Sequence, residues 1–235
     1  MMTSYCSSEI AEKTILYSAL TCPFSQRIAI ALKEAEIEHE TVLIDLSNKP
    51  EWYKDVNVDK KVPSLTTYGI NFAEPSVLIE LINELKPQKR LLPTDPVKRA
   101  QIRFVIQYYW CKVSLAWFSH FQNLKGSDSR KYIAKLQVAY TRINELLLQQ
   151  SPMGPYFLGQ QYSLADIVIA PFASQLETTH KAFLSGIVQQ EINQIKQCYP
   201  RLQEFIQGIV NRPSFKETYP GDELIIESFQ RAWKK

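Results

Sequence analysis

The chain has 235 residues, 45% of them hydrophobic and 22% charged, and a net charge of +3. Those proportions describe a soluble globular protein of one or two domains, long enough to bury a core without disulfides or metals. Basic residues never run longer than pairs, so no nucleic-acid-binding stripe is present. The longest apolar stretch, Ile167 to Ala173, has seven residues; crossing a bilayer takes roughly 20. The opening segment, MMTSYCSSEIAEK, has neither the basic region nor the apolar core of a signal peptide, and no Asn-x-Ser/Thr sequon occurs. A cytoplasmic protein with no membrane span and no nucleic-acid partner is the expectation.

Four cysteines, Cys6, Cys22, Cys111 and Cys198, are too few and too scattered for a disulfide framework. No two of them share zinc-ligand spacing, and His39, His120 and His180 lie far apart, so no metal site is expected. Seven glycines remove most phosphate-binding loops: no G-x-G-x-x-G occurs, and Gly154 to Gly159 is followed by Gln160 where a P-loop has Lys. A serine-hydrolase G-x-S-x-G is missing too.

Short strand and helix signals alternate through residues 1–85. Lys13 to Tyr17 is a β-prone run that leads into the turn-like Thr21-Cys22-Pro23. Phe24, Ile28, Ala31, Leu32 and Ala35 then follow helical spacing. Thr41 to Leu46 reads as a buried strand, parallel to the first because a helix connects them. Pro50 to Asp55 suits a short helix, Pro63 to Thr67 and Ile70 to Ala73 a hairpin about Tyr68-Gly69, and Ser76 to Leu85 a strong helix. The order βαβ, then ββα, is compatible with a thioredoxin-like domain, although other small α/β folds share it.

Residues 86–95 (KPQKRLLPTD) carry two prolines, a basic cluster and no periodicity, as a linker would. Residues 96–235 show only helical signals. Ile102, Val105, Ile106, Tyr109, Val113, Ala116 and Trp117 mark one long helix, and Ile133 to Leu147 a second. After the loop SPMGPYFLGQQY, Ser163-Leu164-Ala165-Asp166 has the form of a capping box, and another helix opens near Pro200. An α/β N-terminal domain followed by an all-α C-terminal domain is expected.

The chemistry concentrates where the first strand gives way to a helix. A thiol at a helix N-terminus meets unpaired backbone N–H groups and the positive end of the macrodipole, which stabilise thiolate over thiol. Pro23 suits the first helical position, where its missing N–H costs nothing. Ser25 occupies the second position of a C-x-x-C, so no internal disulfide can form there and an external thiol must resolve any mixed disulfide. The bland alternative is that Cys22 is a small apolar residue. Cys6, Cys111 and Cys198 read as structural or incidental.

Over roughly residues 13 to 215 the chain resembles the cytosolic glutathione transferases of the omega type, and four motifs carry the resemblance. CPFSQR (Cys22 to Arg27) resembles their cysteine-containing active-site turn, shared with plant dehydroascorbate reductases and soluble chloride intracellular channel proteins. NKPEWY (Asn48 to Tyr53) is similar to the omega segment whose Lys contacts glutathione's glycine carboxylate. KVPSL (Lys61 to Leu65) resembles the Val-Pro turn that pairs with the cysteinyl part, and SLADIVIAPF (Ser163 to Phe172) the helical domain's capping box. The resemblance implies a glutathione transferase fold, glutathione as co-substrate without a metal, and a C2 homodimer. It implies that Cys22 is the reacting thiol and Phe24 packs beside the peptide. Lys49 would hold its glycine carboxylate, Val62 its backbone and a cis Pro63 the turn. Glu74 would hold the γ-glutamyl end. There the sequence departs, since Pro75 stands where the family has Ser, with Ser76 one step later. Either Ser76 takes over by a local shift or glutathione binds more weakly.

Tyr17 ends the first strand roughly where other transferase classes carry a catalytic tyrosine; core packing is its expected role here. A small hydrophobic or disulfide-bearing substrate would lie against Tyr108, Tyr109, Trp110, Phe172 and Leu176. The function so implied is glutathione-dependent thiol transfer or reduction through a Cys22–glutathione mixed disulfide. Conjugation of glutathione to electrophiles and a non-enzymatic binding protein are the alternatives.

Overall fold

A computed structural model describes residues 13–122 and 128–233; Cys6 and the rest of the N-terminal segment lie outside them. Four strands form one sheet in the order β2-β1-β3-β4: β1 Ile15–Ser18, β2 Glu40–Leu43, β3 Ser64–Thr67 and β4 Ile70–Phe72. Helix α1 (Pro23–Glu34) carries the chain from β1 to β2, which pair in parallel with Ile15 opposite Glu40. β3 returns antiparallel to β1, and the β3–β4 hairpin turns at Tyr68-Gly69. Both turn residues have positive φ, as a two-residue turn matched to strand twist requires. Helix α2 (Pro75–Leu85) follows and packs beside α1.

The expectation of a buried strand over Thr41 to Leu46 needs correction. β2 is a sheet edge with period-two burial: Val42 and Ile44 pack against Tyr17 and Tyr53, while Thr41 and Leu43 face solvent. An unbroken apolar run hid an alternation of facing.

The helical part comprises α3 (Pro96–Tyr109), a π-helical stretch (Trp110–Ser114), α4 (Leu115–Gln122) and α5 (Ser129–Gln150). It continues with α6 (Leu164–Phe183), α7 (Gly186–Gln197), α8 (Pro200–Asn211), α9 (Pro213–Thr218) and α10 (Asp222–Trp233). α6 is buried almost all round, its first half is apolar apart from Asp166, and it sits at the centre of the helices. It also packs on α1, so one core runs from Leu16 in the sheet to Phe215 in α9. The segment read as a linker is pinned down: Leu92 N–H donates to Asn83 Oδ1 (3.1 Å), and Leu164 N–H to Leu91 O (2.9 Å). At the far end of α1, Arg212 forks onto both Glu34 oxygens at 2.9 and 2.7 Å. These ties fix the sheet against the helices and hold a cavity between them. No described helix is long and apolar enough to cross a membrane.

Candidate active site

Cys22 is the N-cap of α1, in extended backbone conformation, and its side chain makes no capping hydrogen bond. Its carbonyl accepts from the N–H groups of Ser25 (3.1 Å) and Gln26 (3.0 Å), which starts the helix. The half-buried thiol therefore sits at the start of a helix whose first residue, Pro23, has no N–H to give. Gln175 of α6 steadies the turn by donating from Nε2 to Thr21 O at 3.0 Å.

A cavity of about 390 Å³ opens between sheet and helices. Its α1 wall is Phe24 and Arg27; Cys22 itself is not part of the wall. From the sheet side come Asn57, Lys61, Val62 and Pro63, and from the start of α2 come Glu74, Pro75 and Ser76. The Val62–Pro63 bond is cis. Tyr53 Oη and Asn57 Nδ2 both donate to Lys61 O, at 2.8 and 3.0 Å, and both reach Ser64 Oγ, so this turn is held from beneath. Glu74 caps α2 with φ +65°, a conformation costly for a side-chain-bearing residue and concentrated at ligand clamps. Pro75 and Ser76 follow as the first two helical residues, where N–H groups have no intrahelical acceptor.

Helices α3 and α6 supply the apolar wall. Phe24, Trp110 and Phe172 form a triangle of edge-on rings, with centroids 5.1 to 5.8 Å apart. Beside it the Arg27 guanidinium stands 5.2 Å from the Phe24 ring centroid. Arg27 Nε is buried without a hydrogen-bond partner. Burial lowers the Arg27 pKa to about 10, and the nearby Cys22 and Glu74 offset part of that effect. A desolvated guanidinium with its Nε unpaired marks a place for a ligand's negative charge. Among the described residues no group of His, Cys, Asp or Glu could hold a metal ion.

Matches to two family models cover this architecture: the N-terminal domain of glutathione S-transferase over residues 16–90 and its C-terminal domain over 130–208. The crystal structure of glutathione transferase Omega 1C from Trametes versicolor superposes with a TM-score of 0.82 at 31% identity, covering 95% of this chain and 97% of that one. The chain belongs to the glutathione S-transferase family. Among curated relatives, glutathione S-transferase omega-1 of Sus scrofa is 27% identical over 200 residues, 85% of this chain and 77% of its own length. Glutathione S-transferase DHAR2 of Arabidopsis thaliana is 25% identical over 210 residues, 89% of each chain. The transferase is thus omega-like, with glutathione as its family's substrate.

Of the residues expected at the site, the cavity wall brings together Phe24, Val62, Pro63, Glu74, Ser76, Tyr109, Trp110 and Phe172. Two expected pocket residues are elsewhere. Tyr108 lines a separate groove with Lys112 and Val138, because each helical residue turns about 100° from the last and this one faces α5. Leu176 lies in the core, one turn of α6 past Phe172, where the wall ends. Lys49 is half-buried in the loop after β2 and is not in the wall, whereas Lys61 is. Tyr17 packs between Trp52 and Tyr53, at centroid distances of 6.2 and 5.6 Å. Arg27, Asn57, Lys61 and Ser114 escaped the sequence reading as wall residues. Arg27 stood inside the quoted CPFSQR motif and Lys61 beside Val62, so both carried a usable signal; Asn57 and Ser114 carried none.

Proposed function

We propose that the protein is a glutathione-dependent thiol transferase that works through Cys22. The Cys22 thiolate attacks the glutathionyl sulfur of a mixed disulfide, RS–SG, forming a Cys22–glutathione disulfide and releasing RS⁻, which takes a proton from water. A second glutathione, as thiolate, then attacks that disulfide; glutathione disulfide leaves and the Cys22 thiolate returns. The observation that carries the proposal is the open N-cap: a thiol at a helix start, uncommitted to any cap bond, next to a cavity where the Arg27 Nε is buried unpaired. With Ser25 in place of a second cysteine, resolution depends on the external thiol.

In this proposal glutathione lies along the sheet-side wall. The Val62 backbone beside cis Pro63 pairs with its cysteinyl part, Glu74 and Ser76 hold the γ-glutamyl end, and Lys49, with Lys61 close by, serves the glycine carboxylate. Phe24 flanks the peptide, and Arg27 supplies the charge that the turn itself lacks. Residues 1–85 form the glutathione-binding domain, 86–95 the linker and 96–235 the helical domain of a cytoplasmic homodimer. The aromatic triangle favours a second reading, conjugation of glutathione to apolar electrophiles. Retention on immobilised glutathione, followed by parallel deglutathionylation and chlorodinitrobenzene-conjugation assays, separates the two. Turnover of the mixed disulfide with slow conjugation is expected; fast conjugation without disulfide turnover overturns the proposal.

A further inference from the structure

Hydrogen bonds hold the backbone on either side of Cys22, and one of them comes from the other half of the chain. Cys22 N–H donates to Ala19 O at 3.1 Å, and Cys22 O accepts from the Ser25 and Gln26 N–H groups. Those bonds are local. Thr21 O, the carbonyl immediately before Cys22, instead accepts from Gln175 Nε2 on α6, 154 residues away in the chain. The peptide unit between Thr21 and Cys22 is thus held at both edges, its N–H by Ala19 and its carbonyl by Gln175. The thiol has no comparable support, since it makes no capping bond and no disulfide. Its direction is set through the backbone, at φ −85° and ψ 114°. Further along α1 the helical domain grips through α9 and its N-cap. Gln26 Nε2 donates to Thr218 Oγ1 (3.5 Å), Lys33 Nζ to Glu217 Oε2 (2.9 Å), and Arg212 forks onto Glu34. None of these bonds touches the turn ahead of Cys22.

Gln175 is 2% exposed and is not in the cavity wall, although Phe172, three residues before it, is. It therefore touches nothing bound in the cavity, and its influence on the thiol passes through the Thr21 carbonyl. Thiol–disulfide exchange needs the attacking sulfur aimed at the sulfur it displaces, and a misplacement of about 1 Å costs on the order of 100-fold in rate. We propose that Gln175 is a positioning residue for thiol transfer: it holds the Thr21 carbonyl so that Cys22 presents its sulfur in line with the glutathionyl sulfur. The helical domain thereby sets the rate of a step whose nucleophile belongs to the first domain. This inference rests on the transferase proposal above and assigns the support that its nucleophile needs.

The test is single-turnover kinetics of the full-length protein with the mixed disulfide of glutathione and cysteamine, read as release of cysteamine. Gln175→Met keeps the length of the side chain and removes the donor. Its maximal rate should fall about 10- to 100-fold, while the half-saturating concentration stays within about twofold of wild type. A residue that only held the two domains together would lower the melting temperature and leave the rate per folded molecule unchanged. Gln175→Glu supplies a second readout that does not depend on the Met variant folding. Its carboxylate has no proton to give Thr21 O, whereas its carboxylic acid has one. Its rate relative to wild type at the same pH should climb about fivefold or more from about pH 8 to about pH 5.5, as the buried carboxyl takes up a proton. The same ratio for Gln175→Met should stay flat. A maximal rate within about twofold of wild type for Gln175→Met, or a flat ratio for Gln175→Glu, overturns the inference. Wild type that releases no cysteamine sinks the transferase proposal and this inference together, whereas release that Gln175→Met leaves intact sinks this inference alone.

Discussion

Helices α1 and α6 each begin at a residue that can cap, Cys22 and Ser163, and the two starts are finished in opposite ways. At α6 the Asp166 carboxylate accepts from Ser163 N–H (2.6 Å), Ser163 Oγ (2.8 Å) and Phe157 N–H (2.7 Å), all out of solvent. Those three donors are spent on the protein itself. At α1 the cap makes no side-chain bond, and Ser25 Oγ and Gln26 Oε1 are buried without partners. A helix start that only has to fold saturates its polar groups, whereas one that has to receive a ligand keeps some open. Cys22→Ser should therefore cut thiol transfer at least about 1,000-fold, as loss of a nucleophile does. It should shift stability by less than about 0.5 kcal/mol, because no native bond is lost. Tyr17→Phe should keep most activity. Transfer that survives Cys22→Ser in a glutathionylated-substrate assay ends the nucleophile assignment.

The closed start should show the converse pattern. Asp166→Ala strands three buried donors and should cost about 3–5 kcal/mol in urea unfolding. Ser163→Ala should cost about 1 kcal/mol, the usual worth of an N-cap. Activity per folded molecule should stay near wild type in both. A stability loss below about 1 kcal/mol for Asp166→Ala would mean that water replaces the carboxylate, and the contrast between the two starts would fail.

A third polar cluster lies behind α6 and serves neither start. Tyr132 Oη lies 2.6 Å from His180 Nε2, His120 stacks on Tyr132, and His180 Nδ1 is buried unpaired. Burial, with Lys196 and His120 adding to it, lowers the His180 pKa to about 3, so the folded protein holds this ring neutral. The unfolded chain binds a proton near pH 6.5 that the native state refuses. Stability from this group is full above pH 6.5 and is lost as pH falls from there toward 3. At pH about 5 the loss should be about 2 kcal/mol, and His180→Gln, whose amide can bond Tyr132 as donor or acceptor, should remove most of that slope. Urea midpoints for both proteins at two pH values measure it; parallel slopes would locate the acid sensitivity elsewhere.

The two helix starts were both legible in the sequence, for different reasons. Ser163 to Asp166 has local capping spacing, and Cys22-Pro23 has a thiol and a proline where a strand ends. The hairpin was equally local, because Tyr68-Gly69 needs only its own backbone freedom. What escaped was whatever the fold brings in from a distance. Ser114 sits on an ordinary helical period, and nothing in WCKVS announces a π-turn. Asn57 acts through a loop turn far before that helix in the sequence. α7 buries only Ile192, too narrow an apolar face to register as a periodic helix. Tyr108 and Leu176 were misplaced because periodicity says that a residue faces inward, not whether core or cavity lies there.

The smallest effect concerns the other open start, α2, where Pro75 interrupts the family's Glu-Ser pair. Pro75 is the first helical residue and offers no N–H, yet Ser76 stands next to it in the cavity wall with its N–H facing no helical acceptor. The positive φ of Glu74 sets the chain into α2 so that Glu74, Pro75 and Ser76 all line the same wall. Of the two alternatives left open by the sequence, this arrangement favours Ser76 in the role. Ser76→Ala should then weaken glutathione binding about 3- to 10-fold through loss of one hydroxyl contact. Pro75→Ser should change the dissociation constant by less than about threefold, since its cost falls on helix pre-organisation and the unfolded chain. Calorimetry on the two variants decides between them. A gain of tenfold or more in Pro75→Ser would show that the γ-glutamyl carboxylate reaches the first helical position, and Ser76 would lose its assignment.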